Sequence, residues 1–168
     1  DLMVQLGNHE IFDDAAFKRA KLGAVLVMTS MGVPLIWMGE EFGAYKPKSL
    51  DPNKIDWTLL KNDRNRNLFE HYKGLIQLRK ENHALRTENV EFFYEDSDSK
   101  VLGYVRWNDE GSTIVVVVNF SGQYLADYSV PNFPRSGTWH EWVNDYDVEV
   151  YDGVLTIDLP EYEAKVLL

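Results

Sequence analysis

The chain has 168 residues, 45% of them hydrophobic and 26% charged, with no cysteine and a formal net charge of −10. That composition describes a folded globular protein and excludes disulfide frameworks, thiolate metal sites, Fe–S clusters and thiol catalysis. The charge is uneven: residues 1–88 carry 13 basic and 12 acidic side chains (net +1), leaving 4 and 15 for residues 89–168 (net −11). An acidic second half repels phosphate backbones and argues against nucleic acid as a partner, and the step near residue 88 marks a domain boundary.

The chain opens on Asp1-Leu2-Met3, without the basic region and long apolar core of a secretory leader. Leu2–Leu6 reads as a short buried strand, broken by the polar Gly7-Asn8-His9-Glu10. Asp14 is placed to cap a helix in which Phe17, Ala20, Ala24, Met28 and Met31 recur at helical spacing. Gly32 ends it. Val33–Met38 is an apolar run of strand length, too short to span a membrane and apolar enough to be buried on both faces. The polar turn Gly39-Glu40-Glu41-Phe42-Gly43 follows. Strand, polar loop, helix, strand, polar loop is the order of an α/β unit with a parallel sheet. A Lys/Pro/Asp-rich connection over 44–63 contains Asp56-Trp57, and Leu68, Tyr72, Leu75, Ile76 and Arg79 then predict an amphipathic helix over 64–82.

From residue 89 the hydrophobic period changes from 3.6 to 2. Val90-Phe92-Tyr94 and Leu102-Tyr104-Arg106 alternate, Ile114–Val118 is a central strand, and further short apolar runs are separated by turns such as Ser136-Gly137, Asn144-Asp145 and Asp152-Gly153. Seven or eight short strands with regular turns predict an antiparallel β-sandwich. The expected class is therefore α/β plus all-β, with an incomplete first part: 168 residues fall short of the roughly 250 of a whole (β/α)8 barrel, and two parallel strands cannot form a covered sheet alone.

Asn8-His9-Glu10 and Glu40-Glu41 each follow a predicted strand. In parallel α/β folds such loops open on one face, where sites are built. An imidazole beside carboxylates suits a polyhydroxy ligand or a cationic transition state, and Trp57 and Tyr45 could stack on sugar faces. The plainer reading makes His9 and Glu10 ordinary loop residues and Glu40 and Glu41 local caps. His71, His83 and His140 read as hydrogen-bonding residues, and Trp107, Trp139 and Trp142 as core. No phosphate-loop pattern is present. The four histidines lack metal-ligand spacing, so neither a metal nor a cofactor is expected.

Asn8-His9-Glu10, the run Pro34-Leu35-Ile36-Trp37-Met38-Gly39-Glu40-Glu41-Phe42-Gly43, Asp56-Trp57, Leu75–Lys80, His83-Ala84-Leu85 and Leu159–Ala164 occur in an order that resembles the C-terminal part of the α-amylase superfamily of glycoside hydrolases and transglycosylases (glycoside hydrolase family 13). The version resembles α-glucan branching enzymes and intracellular amylases. The resemblance implies that residues 1–88 are the last β/α units of a TIM (β/α)8 barrel and 89–168 the C-terminal β-sandwich. It implies that Glu10 stands for the auxiliary carboxylate that holds and distorts the sugar, where the family has Asp, and that Asn8, His9, Glu40, Glu41 and Trp57 contact substrate. The nucleophile and acid/base would lie upstream.

On that resemblance the parent is a cytoplasmic enzyme that cleaves α-1,4-glucosidic bonds with retention and transfers to water or to a sugar hydroxyl. The isolated chain is expected to be inactive. The expected partners are an α-glucan or maltooligosaccharide, and either the missing N-terminal barrel portion or a second copy docking through residues 1–60, with no membrane. The alternative is a noncatalytic carbohydrate-binding or structural domain of the same descent, marked by an exposed row of Trp and Tyr rings.

Overall fold

Two kinds of local structure divide the chain, as its two hydrophobic periods require. A computed structural model describes residues 2–46, 50, 52 and 54–168. Parts of the 44–63 connection, at 47–49, 51 and 53, lie outside the described residues, as does Asp1. Contacts group into one unit reaching to Met28 and including Val33–Leu78, and a second made of Thr29–Gly32 and Arg79–Leu168.

The first unit is helical. Helix α1 covers Leu2–Asn8, α2 Asp13–Thr29 and α3 Asp63–Glu81. The period-3.6 expectation for α3 matches its span to within a residue, whereas α2 takes in Asp14, expected as its cap, and ends at Thr29, three residues short of Gly32 and without Met31. Ala16, Ala20, Ala24 and Met28 form the buried stripe of α2, and Leu68, Tyr72, Leu75 and Leu78 that of α3. Ile76 turns partly outward at 37% exposure.

Two strand expectations are corrected. Leu2–Leu6 is helical, with Met3 and Leu6 buried at i, i+3. Val33–Met38 has no regular secondary structure and stands out into solvent, with Val33 96%, Leu35 77% and Met38 68% exposed. The cause is common to both. A strand satisfies its N–H and C=O groups only through a neighbour, and no strand is found among the described residues of this unit. Leu2–Asn8, with Leu, Met and Gln, can satisfy its own backbone as a helix. Val33–Met38 does not, because Pro34 lacks a donor and obstructs a helix, so it forms neither helix nor strand.

The second unit is an antiparallel sheet of eight strands: β1 Val90–Asp96, β2 Val101–Trp107, β3 Thr113–Asn119, β4 Leu125–Val130, β5 Gly137–Glu141, β6 Tyr146–Tyr151, β7 Val154–Leu159 and β8 Glu163–Leu167. Their order is β1-β2-β3-β8-β5-β6-β7-β4. This corrects the two separate sheets expected of a sandwich: the ladder is continuous and curls over one core. Val101, Val105, Val115 and Val117 pack in the same cluster as Val130, Trp139, Val150, Leu155, Ile157 and Leu159. The link between the halves is narrow. β5 and β8 share one ladder pair, Glu141 with Leu167, extended by the Trp142 amide donating to the Val166 carbonyl at 2.8 Å and by the His140 and Leu168 amides donating to each other's carbonyls at 3.2 and 3.0 Å. The Glu141 carboxylate, wholly buried, reinforces it by accepting from the Val166, Val143 and Asn144 amides and from Asn144 Nδ2. Asp152 (φ 50°) and Gly153 (φ 72°) form the two-residue turn between β6 and β7, where both positions need positive φ to match the twist of the strands.

The outermost strands, β1 and β4, meet through side chains. The Tyr94 and Tyr128 hydroxyls lie 2.8 Å apart, and Tyr128 donates to Asp96 Oδ2 at 2.6 Å. That Tyr128 hydrogen bond, followed by the Ser99 amide, holds the Asp96 carboxyl down at about 2 from its ordinary 3.8. A lowered folded-state pKa stabilises the fold above the unfolded value and ceases to do so as pH falls through the folded one. The melting temperature should therefore drop between pH 4 and pH 2 more steeply in the native chain than in Asp96→Asn. Equal slopes in a pH series of thermal melts would contradict this.

Candidate functional site

The sequence candidates sit on two turns of the first unit. Asn8 is the last residue of α1, and His9 and Glu10 follow it; all three are exposed. The helix ends in a Schellman arrangement: the Ile11 amide donates to the Leu6 carbonyl at 2.9 Å and the Glu10 amide to the Gly7 carbonyl at 3.0 Å. Glu10 thereby occupies the left-handed position, φ 59°, that glycine usually takes. Its side chain leaves the chain at a fixed, strained point.

The second turn is a short 3₁₀ helix over Glu40–Phe42, between Gly39 and Gly43. Glu40 Oε2 accepts from the Trp37 amide at 3.2 Å and Glu41 Oε2 from the Gly39 amide at 2.9 Å. Both glutamates thus shape their own turn, the plainer of the two sequence readings. Phe42 is buried beneath it, its carbonyl accepting from Asn65 Nδ2 of α3 at 2.7 Å. Trp57 stands beside Phe42, ring centroids 5.4 Å apart, and remains 59% exposed. Asp56 opens the 3₁₀ helix Trp57–Lys61 by accepting from the Thr58 amide and hydroxyl at 3.0 and 2.6 Å. Those bonds, the hydroxyl first, hold its carboxyl below the usual range. Burial first, and then the charges of Glu40 and Glu41, push the Tyr72 hydroxyl up.

The turns are brought towards each other along α1. Tyr45 covers Gly7 so closely that a Cβ there would meet its ring at 2.6 Å, and a Cβ on Gly43 would meet Phe17 at 3.0 Å and Met3 at 3.4 Å. Beside this contact lies a hollow of about 640 Å³. Phe12, Phe17 and Tyr45 supply aromatic wall, and Asp13, Asp63 and Arg64 supply charge. None of Asn8, His9, Glu10, Glu40, Glu41 or Trp57 lines it. Arg64 ties the first turns of α3 and α2, pairing with Asp13 at 3.2 Å and with Asp14. Sequence reasoning placed Asp14 as a cap but missed its partner fifty residues away.

The remaining candidates are local. His71 Nε2 lies 3.3 Å from the Lys21 carbonyl, and His140 Nδ1 lies 3.0 Å from Asp147. Trp139 is 1% exposed and Trp107 and Trp142 are half-buried, so they form no exposed row. Among the described residues no group of three or more His, Asp or Glu is placed to hold a metal, and no helix is long and apolar enough to cross a membrane.

Residues 94–167 match the family model described as the α-amylase C-terminal all-β domain. The 1,4-α-glucan branching enzyme of Pseudomonas syringae pv. syringae is 30% identical over 159 residues, covering 88% of this chain and 21% of that enzyme. Neopullulanase 2 of Thermoactinomyces vulgaris is 29% identical over 150 residues, covering 88% of this chain and 25% of that enzyme. The chain thus spans about a fifth to a quarter of the length of these relatives. The structure of AmyP in complex with maltose shares the fold over 98% of this chain and 37% of its own, at a TM-score of 0.75 and 17% identity. The likeness runs through both units. The chain belongs to the α-amylase superfamily, glycoside hydrolase family 13, and is related to its branching enzymes, cyclomaltodextrinases and amylopullulanases.

Proposed function

We propose that the chain is the C-terminal portion of an α-1,4-glucan-active, retaining enzyme of the branching or amylase type. In this reading residues 1–88 are the last β/α units of a (β/α)8 barrel and 89–168 the all-β domain that follows. The observation that carries it is the bare run Val33–Met38. Val33, Leu35, Trp37 and Met38 hold large apolar side chains in solvent on a run with no strand pairing, and exposed apolar patches of this kind mark a contact surface. Preceding barrel strands would cover it.

Within that barrel the turns bearing Asn8, His9, Glu10 and Glu40, Glu41 would open on the catalytic face. Glu10 would hold the sugar at the cleavage point, through hydrogen bonds that strengthen as positive charge develops on the ring. His9 and Asn8 would bond sugar hydroxyls, and Trp57 would offer a ring face. Glu40 and Glu41 would act by shaping the rim, as their backbone bonds suggest. Glu in place of Asp extends the carboxylate by roughly 1 Å, a displacement that can change rate on the order of 10²-fold. The left-handed backbone at Glu10 is one way to reposition it.

Retaining cleavage needs a nucleophile and an acid/base about 5–5.5 Å apart. No residue of this chain is matched to either role. Amylose incubated with the 168-residue chain should show neither new reducing ends nor a shifted iodine spectrum, whereas the complete encoded polypeptide should show one or the other. Turnover by the 168 residues alone, abolished by Glu10→Gln, would overturn the proposal. A noncatalytic sugar-binding role for the β unit is less favoured, because Trp139 lies in its core.

A further inference from the structure

We propose that Arg106 and Arg79 are positioning residues that clamp the link Thr29–Gly32 and hold rigid the residue that precedes the Val33–Met38 run. The proposal depends on the reading above only in giving that run a function.

The sequence boundary near residue 88 does not separate the β unit from everything before it. Four residues from far upstream, Thr29–Gly32, belong to it. They are held through their backbone. Arg106, on β2, is wholly buried. It donates from Nη1 to the Thr29 carbonyl, from Nη2 to the Thr87 carbonyl at 2.7 Å and from Nε to the Asn89 carbonyl at 2.7 Å. Arg79 donates from Nη1 to the Ser30 carbonyl at 3.0 Å and from Nη2 to the Gly32 carbonyl at 2.6 Å. The buried Thr29 hydroxyl lies 2.6 Å from the Tyr104 hydroxyl. Three of the link's four carbonyls are thus bound by two guanidinium groups.

A buried cation is costly to desolvate, and a hydrophobic residue of similar volume is often as stabilising. Arg106 forms no ion pair among the described residues. What it gains is geometric: a planar fork that reaches three carbonyls from three segments at once. The Thr29 carbonyl closes α2, where the helix dipole favours a positive charge. Gly32, whose carbonyl Arg79 holds, is bonded directly to Val33. A clamp there holds the residue from which the run continues along the chain.

The test is backbone dynamics by NMR in the 168-residue chain. Ser30, Met31 and Gly32 should have order parameters near the rigid value of about 0.85. In Arg79→Gln they should fall below about 0.6, while Val115–Val118 stay unchanged, which shows that the sheet is folded. Arg79→Lys, able to reach one carbonyl, should give an intermediate value. Arg106→Met should loosen Thr29 as well; if that variant fails to fold, Arg79→Gln decides. Order parameters at 30–32 that do not change in Arg79→Gln, or that fall equally along β3, would overturn the proposal. In the complete polypeptide Arg79→Gln should lower kcat on amylose with KM little changed. Absence of any glucan turnover there would count against the proposed function and leave the order-parameter result standing.

Discussion

Replacing Glu141 by Ala should lower the stability of the β unit by about 1–3 kcal/mol, seen as a fall in the urea midpoint at constant slope. The carboxylate accepts four hydrogen bonds: from the Val143 amide at 3.0 Å, the Asn144 amide at 2.9 Å, the Asn144 side chain at 3.0 Å and the Val166 amide at 3.1 Å. Its removal takes the acceptor from the buried Val166 amide, at a cost of about 1–3 kcal/mol, and frees the Val143 and Asn144 donors at the edge of the site. The effect is concentrated where the sheet is weakest, since β5 and β8 share a single ladder pair. Glu141→Gln keeps one acceptor oxygen and should lose less. A midpoint unmoved by Glu141→Ala would show that the backbone pairing alone holds the halves together.

Trp139→Ala should cost about 3–5 kcal/mol, the range for emptying a buried large aromatic site. The ring is 1% exposed, stands edge-on to Phe133 at 5.3 Å, lies 4.7 Å beneath the Arg135 guanidinium, and donates from Nε1 to the Arg135 carbonyl at 3.0 Å. Trp139→Phe, which keeps the aromatic contact and loses the hydrogen bond, should cost less. A near-neutral Trp139→Ala in denaturant titration would mean that the side chain is free to face a ligand, and would revive the sugar-binding alternative.

The elements whose pattern depends on neighbours close in sequence were legible. The alternation of Leu102, Tyr104 and Arg106 against Val101, Val105 and Trp107 placed β2, and Asp152-Gly153 placed the turn before β7. The stripes Ala20, Ala24, Met28 and Leu68, Tyr72, Leu75 placed α2 and α3. What long-range pairing decides was not legible. Nothing in Glu163–Leu167 says that it inserts between β3 and β5 to make one sheet. Leu2–Leu6 has apolar residues at both helical and strand spacing, so the availability of a partner decides its state. The motif residues Asn8, His9 and Glu10 were found from type and order, but the left-handed conformation of Glu10 depends on α1 ending there. Arg106 carried a signal that went unused: a cation on an apolar strand, on a face shared with Leu102 and Tyr104, must find acceptors inside.

The most direct test of the central claim is the structure of the complete encoded polypeptide by crystallography or cryo-electron microscopy. The proposal predicts that Val33–Met38 is there a parallel strand, hydrogen-bonded on both sides, with Glu10 and the Glu40–Glu41 turn on one rim. It would be contradicted if Val33–Met38 there remained exposed to solvent and outside any sheet.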